Sequence, residues 1–78
     1  MKVGSLVKVS PKVWAAARVG HTPMLGDTFT LYAQQPLLTR ESRGLVTALH
    51  KDGWADVMWL DARQTNHVRV EHLEEITQ

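Results

Sequence analysis

The 78-residue chain contains no cysteine. That excludes disulfides and thiolate zinc sites, the usual reinforcements of a small domain. A chain of this length buries only about 60–65% of the surface it exposes when unfolded. Reinforcement must therefore come from an aromatic-rich core or from an oligomeric interface, and the three tryptophans suit either. No apolar run reaches the roughly 18 residues of a membrane span, so no membrane partner is expected. The opening MKVGSLVKVSPK is charged but has no continuous apolar segment, so it does not read as a secretory signal. Met1 reads as a native start, and a free-standing small product made in a cytosol is the expectation.

Catalytic and metal signatures are also missing. The glycines at 4, 20, 26, 44 and 53 are isolated, so no phosphate-cradling loop exists. Ser5, Ser10 and Ser42 lack the G-x-S-x-G context of an activated serine. Asp56 and Asp61 flank Trp59, but residues five apart on a strand face opposite sides and do not converge as an acid–base pair. His21, His50, His67 and His72 show no H-x-H, H-x-x-x-H or H-E-x-x-H spacing. The expectation is a non-enzymatic protein with no metal and no cofactor.

Net charge is small, at +1, but unevenly distributed. Residues 1–26 carry Lys2, Lys8, Lys12 and Arg18 and no acid, whereas residues 51–78 carry six acids against three bases. Such a split allows head-to-tail self-association or docking on a charged partner. Folding that interleaves the halves would instead leave two ordinary solvated faces.

What is present reads as β-structure. Residues 3–9 alternate, with Val3, Val7 and Val9 on one parity. Ser10-Pro11 is a helix entry, and Val13–Arg18 is rich enough in alanine for two turns, with Gly20 as a stop. His21–Asp27 is rich in turn residues. TFTLYA, residues 28–33, alternates as a strand. Gln34–Ser42 forms a second connection containing Leu37 and Leu38. From Gly44 a strand places Leu45, Thr47 and Leu49 on one face and Val46, Ala48 and His50 on the other. Lys51-Asp52-Gly53 makes a hairpin turn. Trp54–Leu60 returns with Ala55, Val57 and Trp59 facing the core and Trp54, Asp56 and Met58 opposite. Asp61–Asn66 reads as a polar loop, His67–Val70 as a short strand with Val68 and Val70 inward, Glu71–Leu73 as a 3₁₀ turn and Glu74–Ile76 as an edge segment.

Three segments carry a family likeness: Gly44-Leu45-Val46, Ala55–Arg63 (ADVMWLDAR), and Val70-x-x-Leu73-Glu74-x-Ile76. Together with the opening Lys2–Val9, they resemble small SH3-like barrel proteins of tailed bacteriophages. Those follow an order of x-V-G-D-L-V start, G-x-V strand, hairpin, V-x-W-x-D-G-R, and a strand ending L-E-x-I. The likeness covers about 45 of the 78 residues and leaves out residues 10–40. Ala62 stands where the pattern has glycine. The resemblance implies an all-β, single SH3-like barrel domain over residues 1–78, with a long helical insertion at about 10–27 and a second extension at about 34–42. It also implies a structural part of a virion: capsid decoration or a neck–tail component, made in the host cytoplasm and binding other virion proteins or itself.

On this reading the interface candidates are Trp14, Arg18, Leu25, Leu37 and Trp54, because large aromatic and apolar anchors carry most binding energy at protein contacts. Trp14 could equally fold back and cap an open barrel end. The rival reading is a KOW-like nucleic-acid binder, with Lys2, Lys8, Lys12, Arg40 and Arg43 as a basic face and Trp14 or Tyr32 for stacking. A pI near 8.2 and the acidic second half weigh against strong phosphate binding. A regulatory binder of one host enzyme is a third, weaker possibility.

Overall fold

The computed structural model describes residues 1–18, 24–26, 28–32 and 36–76. Eight strands, one α-helix and one 3₁₀ helix follow in order: β1 (Leu6–Val9), α1 (Pro11–Arg18), β2 (Met24–Leu25), β3 (Thr28–Phe29), β4 (Leu38–Thr39), β5 (Gly44–Leu49), β6 (Trp54–Trp59), β7 (Gln64–Arg69), the 3₁₀ helix Val70–His72, and β8 (Leu73–Glu75). The described residues are mostly β-sheet, compatible with an all-β small domain, with little helix. They form two sheets, a five-stranded one in the order β7-β6-β5-β1-β8 and a three-stranded one in the order β2-β3-β4. The described pairings are antiparallel. β7 and β8 are the two edges of the larger sheet, so the expected closed barrel is not formed by strand pairing among the described residues.

The core follows from the alternation. Val7, Val9, Val46, Ala55, Val57, Trp59, Val68 and Leu73 point inward from the large sheet, and Phe29 and Leu38 from the small one. Trp59, expected in the core, is fully buried. Gly44 sits opposite Trp59 in the β5–β6 register. A Cβ at Gly44 would run into Val57 Cγ1 and lie 3.0 Å from Trp59 Cε3, so the missing side chain is space taken by the core.

The opening turn is set by Gly4, whose φ of 93° favours glycine. Ser5 closes that turn: its Oγ accepts the Lys2 N–H at 3.0 Å, where the family pattern has aspartate. Ser10 then starts α1. Its carbonyl accepts from Val13 at 2.9 Å, and its Oγ accepts the Lys12 N–H at 3.3 Å. Eight residues make a marginal helix in isolation. Docking supplies the rest: Trp14 is 4% exposed and meets Phe29 edge to face at 4.3 Å. Trp14 is therefore core rather than a surface anchor, because it covers Phe29 where the small sheet leaves it open.

The first strand begins at Leu6 and not at Val3, because Gly4 turns the chain and leaves Val3 exposed; three later boundaries also differ from the sequence reading. Among the described residues of TFTLYA, Thr28–Phe29 is strand; the chain bends at Leu31–Tyr32, where the Tyr32 hydroxyl is held by His72 and by the Arg69 N–H. Leu38–Thr39, expected within a connection, pairs with β3 because Leu38 buries opposite Phe29. The Asp61–Asn66 loop is shorter than expected, since β7 begins at Gln64. Arg63 adopts a positive φ of 52° and its N–H bonds Trp59 O at 2.7 Å, which turns the chain without the missing glycine at 62. The proposed stop at Gly20, the turn residues His21–Pro23 and Asp27, and the segment 33–35 lie outside the described residues.

Candidate functional site

The outer face of β6 and β7 gathers the side chains that the core does not use. Because Ala55, Val57 and Trp59 face inward, Trp54, Asp56 and Met58 face outward. The antiparallel register then sets Trp54 opposite Arg69 and Asp56 opposite His67. A β-bulge between Val46 and Ala48 adds the third strand to this face. Before it, Leu45 pairs with Met58 and Val46 with Val57; after it, Ala48 pairs with Asp56. Thr47 is the extra residue, and its Oγ1 donates to the Asp56 carbonyl at 3.2 Å. The bulge reverses the parity of β5, so His50 falls on the outer face with Asp56 and not on the face of Val46. The His50 N–H closes the hairpin on Trp54 O at 2.8 Å.

The contacts on this face form a continuous chain. The Arg69 guanidinium lies 5.1 Å from the centre of the Trp54 ring. The Trp54 and His67 rings stack at 4.6 Å and 2°. The His67 ring meets the His50 ring edge-on at 5.0 Å. Asp56 Oδ1 lies 2.9 Å from His67 Nδ1 and 3.2 Å from His50 Nε2. The hydrogen bond from His67, followed by that from His50, holds the Asp56 carboxyl below its ordinary range.

Beyond Trp54 the chain continues through Tyr32, whose ring centre is 6.0 Å from the indole. The Tyr32 oxygen accepts the Arg69 N–H at 3.2 Å and lies 2.6 Å from His72 Nδ1, to which its O–H donates when that nitrogen carries no proton. Burial raises the Tyr32 phenol above its usual value. Arg69 Nε also bonds Glu71 Oε1 at 2.9 Å. The site thus has aromatic surface, one cation, three imidazoles and two carboxylates on β6, β7 and the segments beside them. Those groups can hold a flat or apolar partner group, or a cation.

The residues singled out from sequence distribute differently. Trp54 is half-buried and central to this face. Leu37 is exposed at 54%, next to β4. Arg18 closes α1 and Leu25 lies on β2; their side chains are outside the described residues. The basic residues stand on the opening turn, β1, α1 and the segment between β4 and β5. Lys8 pairs with Glu74 across β1–β8 at 3.7 Å, Arg40 lies 4.6 Å over Trp14, and Arg43 Nη1 donates to the carbonyls of Arg40 and Ser42. Lys2 and Lys12 are exposed on the opening turn and on α1. The N-terminal ammonium meets Glu75 at 3.2 Å, so the basic and acidic halves interleave at β1–β8. Asp56, His50 and His67 were not recognised as a group because they are adjacent only through strand register. The alternation of β6 could have paired Asp56 with β7, but nothing in the sequence marks the bulge that brings in His50.

Comparison with protein-family models, with curated proteins and with solved structures returns no match.

Proposed function

We propose that this chain is a non-enzymatic SH3-like docking module that serves as a structural or assembly part of a bacteriophage particle. The observation that carries the docking reading is the outer face of β6 and β7. Trp54, Tyr32 and Arg69 are the residue types that dominate binding energy at protein contacts, and here they touch one another, with Tyr32 also packed against the rim of the core. The SH3-like reading is supported by the strand order β7-β6-β5-β1-β8, with a single 3₁₀ turn linking β7 to β8. The motif residues behind the phage likeness have structural roles consistent with it. Gly44 makes room for Trp59, Asp61 accepts from buried Ser42 at 2.8 Å, and Leu73 is buried beside β1.

The test is mass spectrometry of purified particles of the encoding phage, with copy number, on wild type and on Trp54→Ala. Incorporation that falls with Trp54→Ala while the free protein keeps its circular dichroism supports the reading. Absence of the wild-type chain from particles overturns the virion part.

A second reading is single-stranded nucleic-acid binding, favoured by the cation stacked on Trp54 beside Tyr32. Glu71 on Arg69 and Asp56 between the histidines put negative charge on the same face, which disfavours phosphate. Affinity for an oligonucleotide that collapses with salt would support this second reading; docking through Trp54 and Tyr32 would persist.

A further inference from the structure

We propose that His50, Asp56 and His67 form a binding site for one divalent transition-metal ion of the Zn²⁺ class. The donors are His50 Nε2, Asp56 Oδ1 and His67 Nδ1, and all three lie within 4.8 Å of one another. Two imidazoles and one carboxylate are ligands that zinc accepts, with bonds of about 2.0–2.2 Å. A tetrahedral ion with such bonds needs its donors roughly 3.3 Å apart. Asp56 Oδ1 is already 2.9 Å from His67 Nδ1 and 3.2 Å from His50 Nε2. Those two separations are within about 0.4 Å of the tetrahedral spacing, and the His50 and His67 donors, within 4.8 Å of each other, close on the ion by rotation of exposed rings with no change of strand register.

The support around the donors favours the same conclusion. Asp56 and His67 are directly opposed on neighbouring strands, and His50 is fixed by the hairpin bond from its own N–H to Trp54 O. The Trp54 indole lies flat on the His67 imidazole, which restricts that ring to the plane in which Nδ1 faces Asp56. Without an ion, a single carboxylate oxygen serves both imidazoles, each through an N–H. With the ion, each neutral ring carries its proton on its other nitrogen and gives its lone pair to the metal. The half-exposed carboxylate and exposed rings leave the remaining coordination position to water.

The experiment is a Zn²⁺ titration of the full chain in a non-coordinating buffer. It is followed by calorimetry and by the ring resonances of all four histidines in NMR. Co²⁺ serves as a second probe through its visible absorption. The expected result is one ion per chain, with the ring signals of His50 and His67 moving together and those of His21 and His72 unchanged. Asp56→Asn and His67→Gln should each weaken binding at least about tenfold. Glu74→Gln, which removes a carboxylate on β8 that pairs with Lys8 away from this face, should bind as wild type. Absence of saturable one-to-one binding overturns the proposal, as does binding that shifts His21 or His72 or that survives both donor substitutions. The wild-type NMR map decides the matter even if a variant fails to fold.

Discussion

Gly44→Ala tests whether the core is as tightly specified as the β5–β6 contact implies. The added methyl would overlap Val57 Cγ1 and stand 3.0 and 3.2 Å from Trp59 Cε3 and Cζ3. Neither neighbour has room to yield, since both are fully buried and Trp59 lies opposite Gly44 in the ladder. Backing away on the other side is blocked by β1, where Val7 pairs with Gly44. Overpacking of this kind costs about 1–3 kcal/mol. Against it stands the gain from replacing glycine in a strand interior, about 0.5–1 kcal/mol. The φ of Gly44 is not positive, so no backbone strain enters. Because the overlap with Val57 is hard, the overpacking cost falls in the upper half of its range, about 2–3 kcal/mol, and the net loss is about 1–2.5 kcal/mol, against a total stability of about 4–12 kcal/mol for a domain of this size. That corresponds to a fall in Tm of roughly 4–20 °C. Thermal and urea denaturation followed by circular dichroism read it directly. Val57→Ala removes the methyl in the way, so the double variant should lose less than the sum of the two single losses, by about 0.5–3 kcal/mol. A Gly44→Ala protein as stable as wild type, or strict additivity with Val57→Ala, would refute the reasoning.

Two further substitutions probe the polar fastenings. Ser42 is 2% exposed; its Oγ accepts the Thr39 N–H at 2.9 Å and donates to Asp61 Oδ2 at 2.8 Å. Ser42→Ala leaves the Thr39 N–H without its acceptor and should cost about 1–3 kcal/mol, seen as a lowered urea midpoint with unchanged m-value. Tyr32 has its folded pKa raised by burial, so its contribution is fully present below the unfolded value near 10 and is lost as pH rises through the folded value. Wild type should therefore lose stability above about pH 10 through this residue, and Tyr32→Phe should flatten that alkaline slope. An identical slope in both proteins would show that the phenol is not linked to folding.

Much of the large sheet was legible because its strands obey a two-residue period with one buried face. Ala55, Val57 and Trp59 were placed inward by alternation alone, and all three are fully buried. The Ser10-Pro11 helix start was equally readable, since capping chemistry is local. The small sheet was less readable. Two-residue strands such as β3 and β4 carry no periodic signal, and what pairs them is the burial of Phe29 and Leu38 against Trp14 and the rest of the core. The start of β7 was hidden for the opposite reason. Gln64, Thr65 and Asn66 are polar because that end of the strand is mostly exposed, and polarity reads as loop when only the sequence is seen. The role of Trp14 could not be settled from its position in an unmatched insertion, because burial depends on Phe29 being left uncovered by two short strands.

The histidine–aspartate cluster was illegible for a single physical reason, and that reason can be tested. A strict alternation from Val46 places His50 on the core face; one extra residue, Thr47, reverses that parity. If the register after the bulge is what matters, deletion of Thr47 should keep it. Val46 would still pair with Val57 and Ala48 with Asp56, now in a regular ladder. β1 imposes no obstacle, because its pairing with β5 ends at Leu45 and the opening turn bonds Val46 through Gly4 and Ser5. The cost should be about 0.5–1.5 kcal/mol, the worth of the lost Thr47–Asp56 hydrogen bond. Nuclear Overhauser contacts between the His50 and His67 rings, which lie 5.0 Å apart in the intact chain, should survive the deletion. Their loss from a folded deletion variant would mean that the added twist of the bulge, and not the register it sets, brings His50 to Asp56.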